Sequence, residues 1–207
     1  MTTPQFETGS ESARVMLRRV CDGLSGAGDI ERCVQPVPPA TLPGAFQSLL
    51  VHNNHMTTTL KEFYATPVEL RVLTQRLDGD HYCREILLVL RDTDCVVEYG
   101  VMNFHLGYAS EEVRRVVLER KMPLGDVLIQ HNVLRRIEPA CFLTVEKDSE
   151  ITRRFGMPEP TEAFGRLGTI YYDEKPAIEL LEVVVDRRSE CDVLRGDAIA
   201  VTKQRPS

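Results

Sequence analysis

Three extended runs follow one another between Val68 and Leu106 with almost no chain between them, and this constrains the fold more than any other feature. Val68 to Thr74 alternates as a strand, Tyr82 to Arg91 forms a second run, and Cys95 to Leu106 a third. The connectors are turn residues, Asp78-Gly79 and Asp92-Thr93-Asp94. Parallel neighbours need a crossover of about a dozen residues or more, so these runs predict an antiparallel meander. Further strands are predicted over 140–146, 167–173 and Ala177 to Val185.

Helical patterns lie apart from this block. Ser10 or Ser12 caps a predicted helix to about Leu24, which Gly23 to Gly28 ends; residues 1–9 read as loose. Val34 to Ala40, with its three prolines, reads as a turn or extended connector. Ala45 to Tyr64 reads as one or two helices, weakened at the Asn- and Thr-rich centre. Ser110 opens a helix to about Lys121, and Pro123 starts a short one over Leu124 to His131. Gly156 to Pro160 reads as a flexible insert, and the charged tail beyond Arg187 as frayed. Strands without βαβ alternation give an α+β class with one antiparallel sheet. The expected division is an N-terminal extension over 1–40, a domain over 41–187 and a tail over 188–207.

The second strand contains a charge where none is expected. Arg84 projects on the face of Tyr82, Ile86, Leu88 and Leu90. A guanidinium keeps its proton and is seldom buried without an anion, so either the chain or a ligand supplies one. The last strand offers candidates: Glu182 shares a face with Ile178, Leu180 and Val184, and Glu179 the other with Ala177, Leu181 and Val183. A carboxylate so placed is paired or has a raised pKa, as a proton donor requires. On these residues a structural Arg84–Glu182 pair and a ligand site both stand.

Four blocks in order resemble the chorismate–pyruvate lyases: Leu49 to Thr57, Tyr82 to Leu88, Lys121 to Leu128, and Lys175-Pro176 with its acid-bearing strand. The blocks span roughly 45 to 186, and the chain looks closer to the branch outside ubiquinone synthesis. The resemblance implies about six antiparallel strands under helices and flaps that bury the ligand. It also implies cleavage of chorismate to 4-hydroxybenzoate and pyruvate with no cofactor and no metal. In it, Arg84 matches the arginine that binds the aromatic carboxylate. Glu182 matches the acid near the ring oxygen, and the backbone amides at Met56 and at Leu124, beside Gly125, match groups that help hold the carboxylate. The sequence departs from the family in three places. Pro176 and Glu182 are one residue further apart than in some members, which keeps Glu179 as a second candidate acid. Val101 stands where some members have an arginine, and His52-Asn53-Asn54-His55 is unusually polar.

Other readings are a different enolpyruvyl-ether enzyme and a non-catalytic binder of small aromatic acids, since the same fold resembles effector-binding domains of bacterial transcription regulators. The first 45 residues show no winged-helix pattern, and the lyase ranks first. A net charge of −6 argues against nucleic acid as partner. Six cysteines without a CxxC pair, no signal-peptide pattern and no long apolar run predict a soluble cytoplasmic protein; oligomeric state is not legible. His52 and His55 with His105 or His131 lack a tight metal motif and read as hydrogen-bonded flap residues. Cys83 is expected on the face opposite Arg84, and Asp126 as a helix-start acid.

Overall fold

The computed structural model describes residues 10–24, 26–157 and 161–203; the expectations for residues 1–9 and for 158–160 of the insert fall outside them. The predicted meander is present as β2 (Val68–Asp78), β3 (His81–Leu90) and β4 (Val96–His105). These join β1 (Val34–Val37), β5 (Arg135–Val145), β6 (Ala163–Tyr172) and β7 (Lys175–Val184) in one antiparallel sheet of order β1-β5-β6-β7-β4-β3-β2. The sheet therefore has seven strands rather than about six. The added one is β1, expected as a connector: it pairs with β5 from Val34↔Val145 to Val37↔Phe142. Pro36 is tolerated there because an edge strand has one side without ladder bonds.

Helices cover both faces. On the back, α1 (Ser10–Val20), α2 (Ala27–Arg32) and α7 (Glu150–Arg153) pack Leu17, Val20, Ile30 and Ile151 against Cys83, Leu87, Tyr99, Leu181 and Val183. Cys83 thus lies on the face expected for it. Neither α2 nor α7 was legible, both being too short to show a period.

The front face carries two separate cores. In one, α3 (Gly44–Leu50) and α4 (Met56–Tyr64) pack Phe46, Leu49, Leu50 and Leu60 on Leu88, Leu90 and Val184. In the other, α5 (Glu111–Glu119) and α6 (Leu124–Gln130) pack Val113, Val117, Val127 and Leu128 on Met102, Phe104, Ile170 and Leu180. Ser110 caps α5 by accepting from the Val113 N–H. The tail beyond Arg187, expected to be frayed, is α8 (Arg188–Lys203). It is tied down by buried Cys191 and by Arg195, which donates to Asp92 and to the Tyr64 carbonyl.

Candidate functional site

The seam between the two front cores holds a cavity of about 60 Å3. Among its lining residues are Arg84, Glu98, Gly100, Glu182, Met56, Leu124 and Gly125. Every residue that the sequence singled out for the site, except Glu179, lines this one space.

The register explains the convergence. Gly100 of β4 lies opposite Ile86 of β3 and opposite Glu182 of β7, and Glu182 lies opposite Arg166 of β6. One step along, Arg84 faces Met102, which faces Leu180. One step the other way, Glu98 faces Leu88 and Val184. Directly opposed residues share a face, so all of these point to the front. Gly100 keeps the floor open, because a Cβ there would meet Ile86 Cδ1 at 3.0 Å.

Arg84 and Glu182 do not pair, which corrects the structural reading of the sequence. Glu182 Oε2 accepts from Arg166 Nε at 2.6 Å. Two strands supply this pair directly, whereas β4 stands between Arg84 and Glu182. Arg166, 1% exposed, spends its other N–H groups on the segment between α3 and α4. Nη1 donates to the carbonyls of Leu50 and His52, and Nη2 to that of Asn54. The polar run at 52–55 is thereby explained, since it presents carbonyl oxygens and a ring nitrogen to a buried cation.

Arg84 is 2% exposed, and its Nε and Nη1 have no hydrogen-bond partner. Among the described residues no carboxylate lies within ion-pair distance of it. Burial pushes the guanidinium below its ordinary pKa, opposed by the Tyr82 hydroxyl, which itself donates to Gln75 Oε1 at 2.8 Å. A buried cation left in this condition is costly, and an anion in the cavity would satisfy it.

A second buried charge was missed by the sequence reading. Glu98 is 3% exposed and its Oε2 has no partner. Burial, and then the neighbouring Glu182, push its carboxyl well above the ordinary carboxylate range, with Arg166 opposing. Its signal was the one that revealed Arg84, a charge inside an apolar run (Val96-Val97-Glu98-Tyr99-Gly100-Val101).

Glu179 is not at the site. It faces Asn103 and Thr169 in the ladder and pairs with Arg19 at 2.6 Å, partly exposed. The roof is made where the first turns of α4 and α6 meet. Gly125 permits the contact, as a Cβ there would lie 3.0 Å from His55 Cβ and 3.1 Å from Thr57 Oγ1. Neither His55 nor Pro123 caps its helix with a side chain, so the N–H groups at Met56 and Leu124 have no intrahelical acceptor. Lys61 closes the seam on Asp126 at 2.7 Å, giving that acid a bridging role across the two helices.

Among the described residues no group of three or more His, Cys, Asp or Glu side chains comes together as metal ligands would. His52 Nε2 donates to the Leu49 carbonyl, which leaves Nδ1 to accept from the Asn54 N–H; burial and then Arg166 lower its pKa. His55 accepts from Arg135 Nε, and burial with the Arg135 and Arg166 charges lowers its pKa to about 4. Its ring walls the cavity.

No family model matches the chain, and no curated protein matches it. Solved structures do. PhnF from Mycobacterium smegmatis is similar at 12% identity over 89% of this chain and 84% of that one, with a TM-score of 0.47. The effector domain of PhnF from the same organism is similar at 11% identity over 74% and 93%, with a TM-score of 0.46. The ligand-binding domain of a protein from Bordetella bronchiseptica, described as a GntR-family transcriptional regulator, is similar at 12% identity over 57% and 85%, with a TM-score of 0.44. No helix among the described residues is long and apolar enough to cross a membrane.

Proposed function

We propose that this chain binds a small aromatic carboxylic acid, with the carboxylate on Arg84 and the ring between the two front cores. The observation that carries this reading is a buried guanidinium that lines a partly open cavity and has two unpartnered nitrogens, Nε and Nη1. An arginine fork matches a carboxylate, and the apolar walls at Ile86, Leu88, Met102 and Leu180 match a ring. The cavity measures about 60 Å3. A benzene-sized guest occupies a cavity of roughly 150 Å3, so binding is coupled to an outward movement of the roof.

The test is calorimetric titration with benzoate and 4-hydroxybenzoate. Wild-type protein is expected to bind, and Arg84→Met to lose about a hundredfold or more in affinity, as truncating one side of a buried charge pair does. Failure of the wild type to bind any aromatic acid sinks the reading.

A second, catalytic reading is favoured by two carboxyls, Glu98 and Glu182, in the same cavity, one of them with its pKa raised. Together with the four sequence blocks it supports a lyase acting on chorismate, releasing 4-hydroxybenzoate and pyruvate. Arg84 would hold the ring carboxylate, and an acid at the Glu98–Glu182 end would assist cleavage of the ring C–O bond. The hydrogen on the hydroxyl-bearing ring carbon is lost as a proton, the ring becomes aromatic, and the departing enolpyruvate takes up a proton at its methylene carbon to become pyruvate. Purified protein is mixed with chorismate, pyruvate is followed through lactate dehydrogenase, and the aromatic product is identified by chromatography. Pyruvate with 4-hydroxybenzoate is the expected outcome for a lyase. Pyruvate with another aromatic acid points to a different enolpyruvyl-ether enzyme, and no pyruvate above background leaves binding alone.

A further inference from the structure

We propose that Glu98 determines specificity in this pocket: its carboxyl donates a hydrogen bond to an oxygen that the ligand carries at the end away from its carboxylate. The inference rests on the aromatic-acid reading and assigns the second end of the same site.

Three observations lead to it. First, Glu98 lies on the front face of β4, four residues before Met102, the residue opposite Arg84. At roughly 3.3 Å per strand residue, the two charged ends of the cavity have backbones about 13 Å apart along the strand. Their long side chains reach inward from both ends, and Gly100 between them puts no side chain in the way. Second, Glu98 Oε2 is buried without a partner, so nothing in the described fold uses it. Third, Glu182, the obvious candidate for contact with a distal oxygen, is already held by Arg166.

The protonation state follows from what faces Glu98. Glu182 on β7 sits diagonally across the ladder, opposite Gly100, where side chains on one face interact. Among the described residues the one cation bonded to that end, Arg166 on β6, is engaged by Glu182 and by the carbonyls of Leu50, His52 and Asn54. The His52 ring beside Arg166 and the His55 ring on the roof both have lowered pKa values, and Arg84 belongs to the other end. Burial, and then the Glu182 charge, push the Glu98 carboxyl well above the ordinary carboxylate range, which keeps the proton on Glu98. A neutral carboxylic acid donates, which an ionised one does not.

Two probes of matched shape separate a donor from a mere wall: 4-methoxybenzoate, with an acceptor oxygen, and 4-ethylbenzoate, with a methylene in its place. Wild-type protein is expected to prefer the methoxy acid by about tenfold in Kd. Glu98→Met, similar in volume and without a donor, is expected to bring the ratio to about one. Glu98→Gln keeps a donor N–H and is expected to keep most of the preference. Equal binding of the two acids by the wild type, or an unchanged ratio in Glu98→Met, overturns the proposal. If Glu98→Met does not fold, the wild-type ratio and Glu98→Gln decide. Should both acids bind equally and Arg84→Met abolish both, the aromatic-acid reading stands and the role of Glu98 alone falls. Should neither acid bind the wild type, both fall.

Discussion

Two arginines occupy the same face of the same sheet, both almost wholly buried, and they are in opposite condition. Arg166 is met by Glu182 and by the carbonyls of Leu50, His52 and Asn54. Arg84 leaves Nε and Nη1 without partners. Burial of a cation is therefore not what marks a site here; its lack of an answering group is. Arg166 is structural, because it fastens the segment between α3 and α4 to β6. Arg84 is the side left unanswered, where the proposed ligand would bind.

The comparison breaks most visibly if Arg166 is replaced. Arg166→Met strands Glu182 and removes donors from three buried or half-buried carbonyls. Removing one partner of a buried pair costs about 3–5 kcal/mol, so urea unfolding is expected to show a loss of that size. A loss below about 1 kcal/mol would mean that the 50–54 segment is held by something else.

The second effect comes from the segment Arg166 holds. His55 has a pKa of about 4 in the fold, against an ordinary value near 6.5. Between these values the unfolded chain binds the proton and the folded one does not, so stability rises with pH across that window. The contribution is fully present above about 6.5 and lost as pH falls to about 4, on the order of 3 kcal/mol in all. Stability curves for wild type and His55→Gln should converge toward pH 4 and separate toward pH 7. Parallel curves would mean that the ring is accessible to protons, and that the roof over Arg84 is looser than the Arg166 side.

How far the sequence shows all this depends on which signal each residue leaves. The meander is legible because its turns are short and chemically explicit. Strand β1 is not, since a four-residue run containing Pro36 has no alternation to read. The helix over Arg188–Lys203 is masked by its charges and anchored by Cys191 and Arg195, contacts that depend on the distant β3–β4 turn and on α4. At the site, Arg84 and Glu182 stand out as charges in long apolar strands. Arg166 and Glu98 carry the same mark, diluted by neighbouring glycines in Phe164-Gly165-Arg166-Leu167-Gly168 and Glu98-Tyr99-Gly100. The pairing itself was beyond reach, because a sequence does not state which strands are neighbours. Placing β4 between β3 and β7 is what separates Arg84 from Glu182 and gives Glu182 to Arg166.

Arg84→Met carries a smaller change of the opposite sign. An apolar side chain of similar length relieves an unmet charge and adds packing among Ile86, Leu88 and Met102. Stability without ligand is expected to rise by about 1–2 kcal/mol while aromatic-acid binding is lost. A clear loss of stability would show that Arg84 is satisfied in the folded chain, and the contrast with Arg166 would fail.

The smallest effect concerns how a ligand reaches Arg84. Opening the cavity by lifting the 50–54 segment breaks the buried bonds of Arg166, whereas parting α4 from α6 breaks the Lys61–Asp126 pair, whose side chains are 36% and 26% exposed, and separates the packing of Gly125 on His55 and Thr57. A pair so exposed contributes about 0.5–1 kcal/mol and is screened by salt, so the seam is the easier route. Lys61→Ala is expected to lower stability by no more than that. It should speed both association and dissociation of benzoate about two- to threefold, because a roof less firmly closed is open more of the time. High salt should act on the wild type in the same direction and leave Lys61→Ala nearly unchanged. Rates indifferent to both would place the opening on the Arg166 side, and the firm half of the comparison would then be the half that moves.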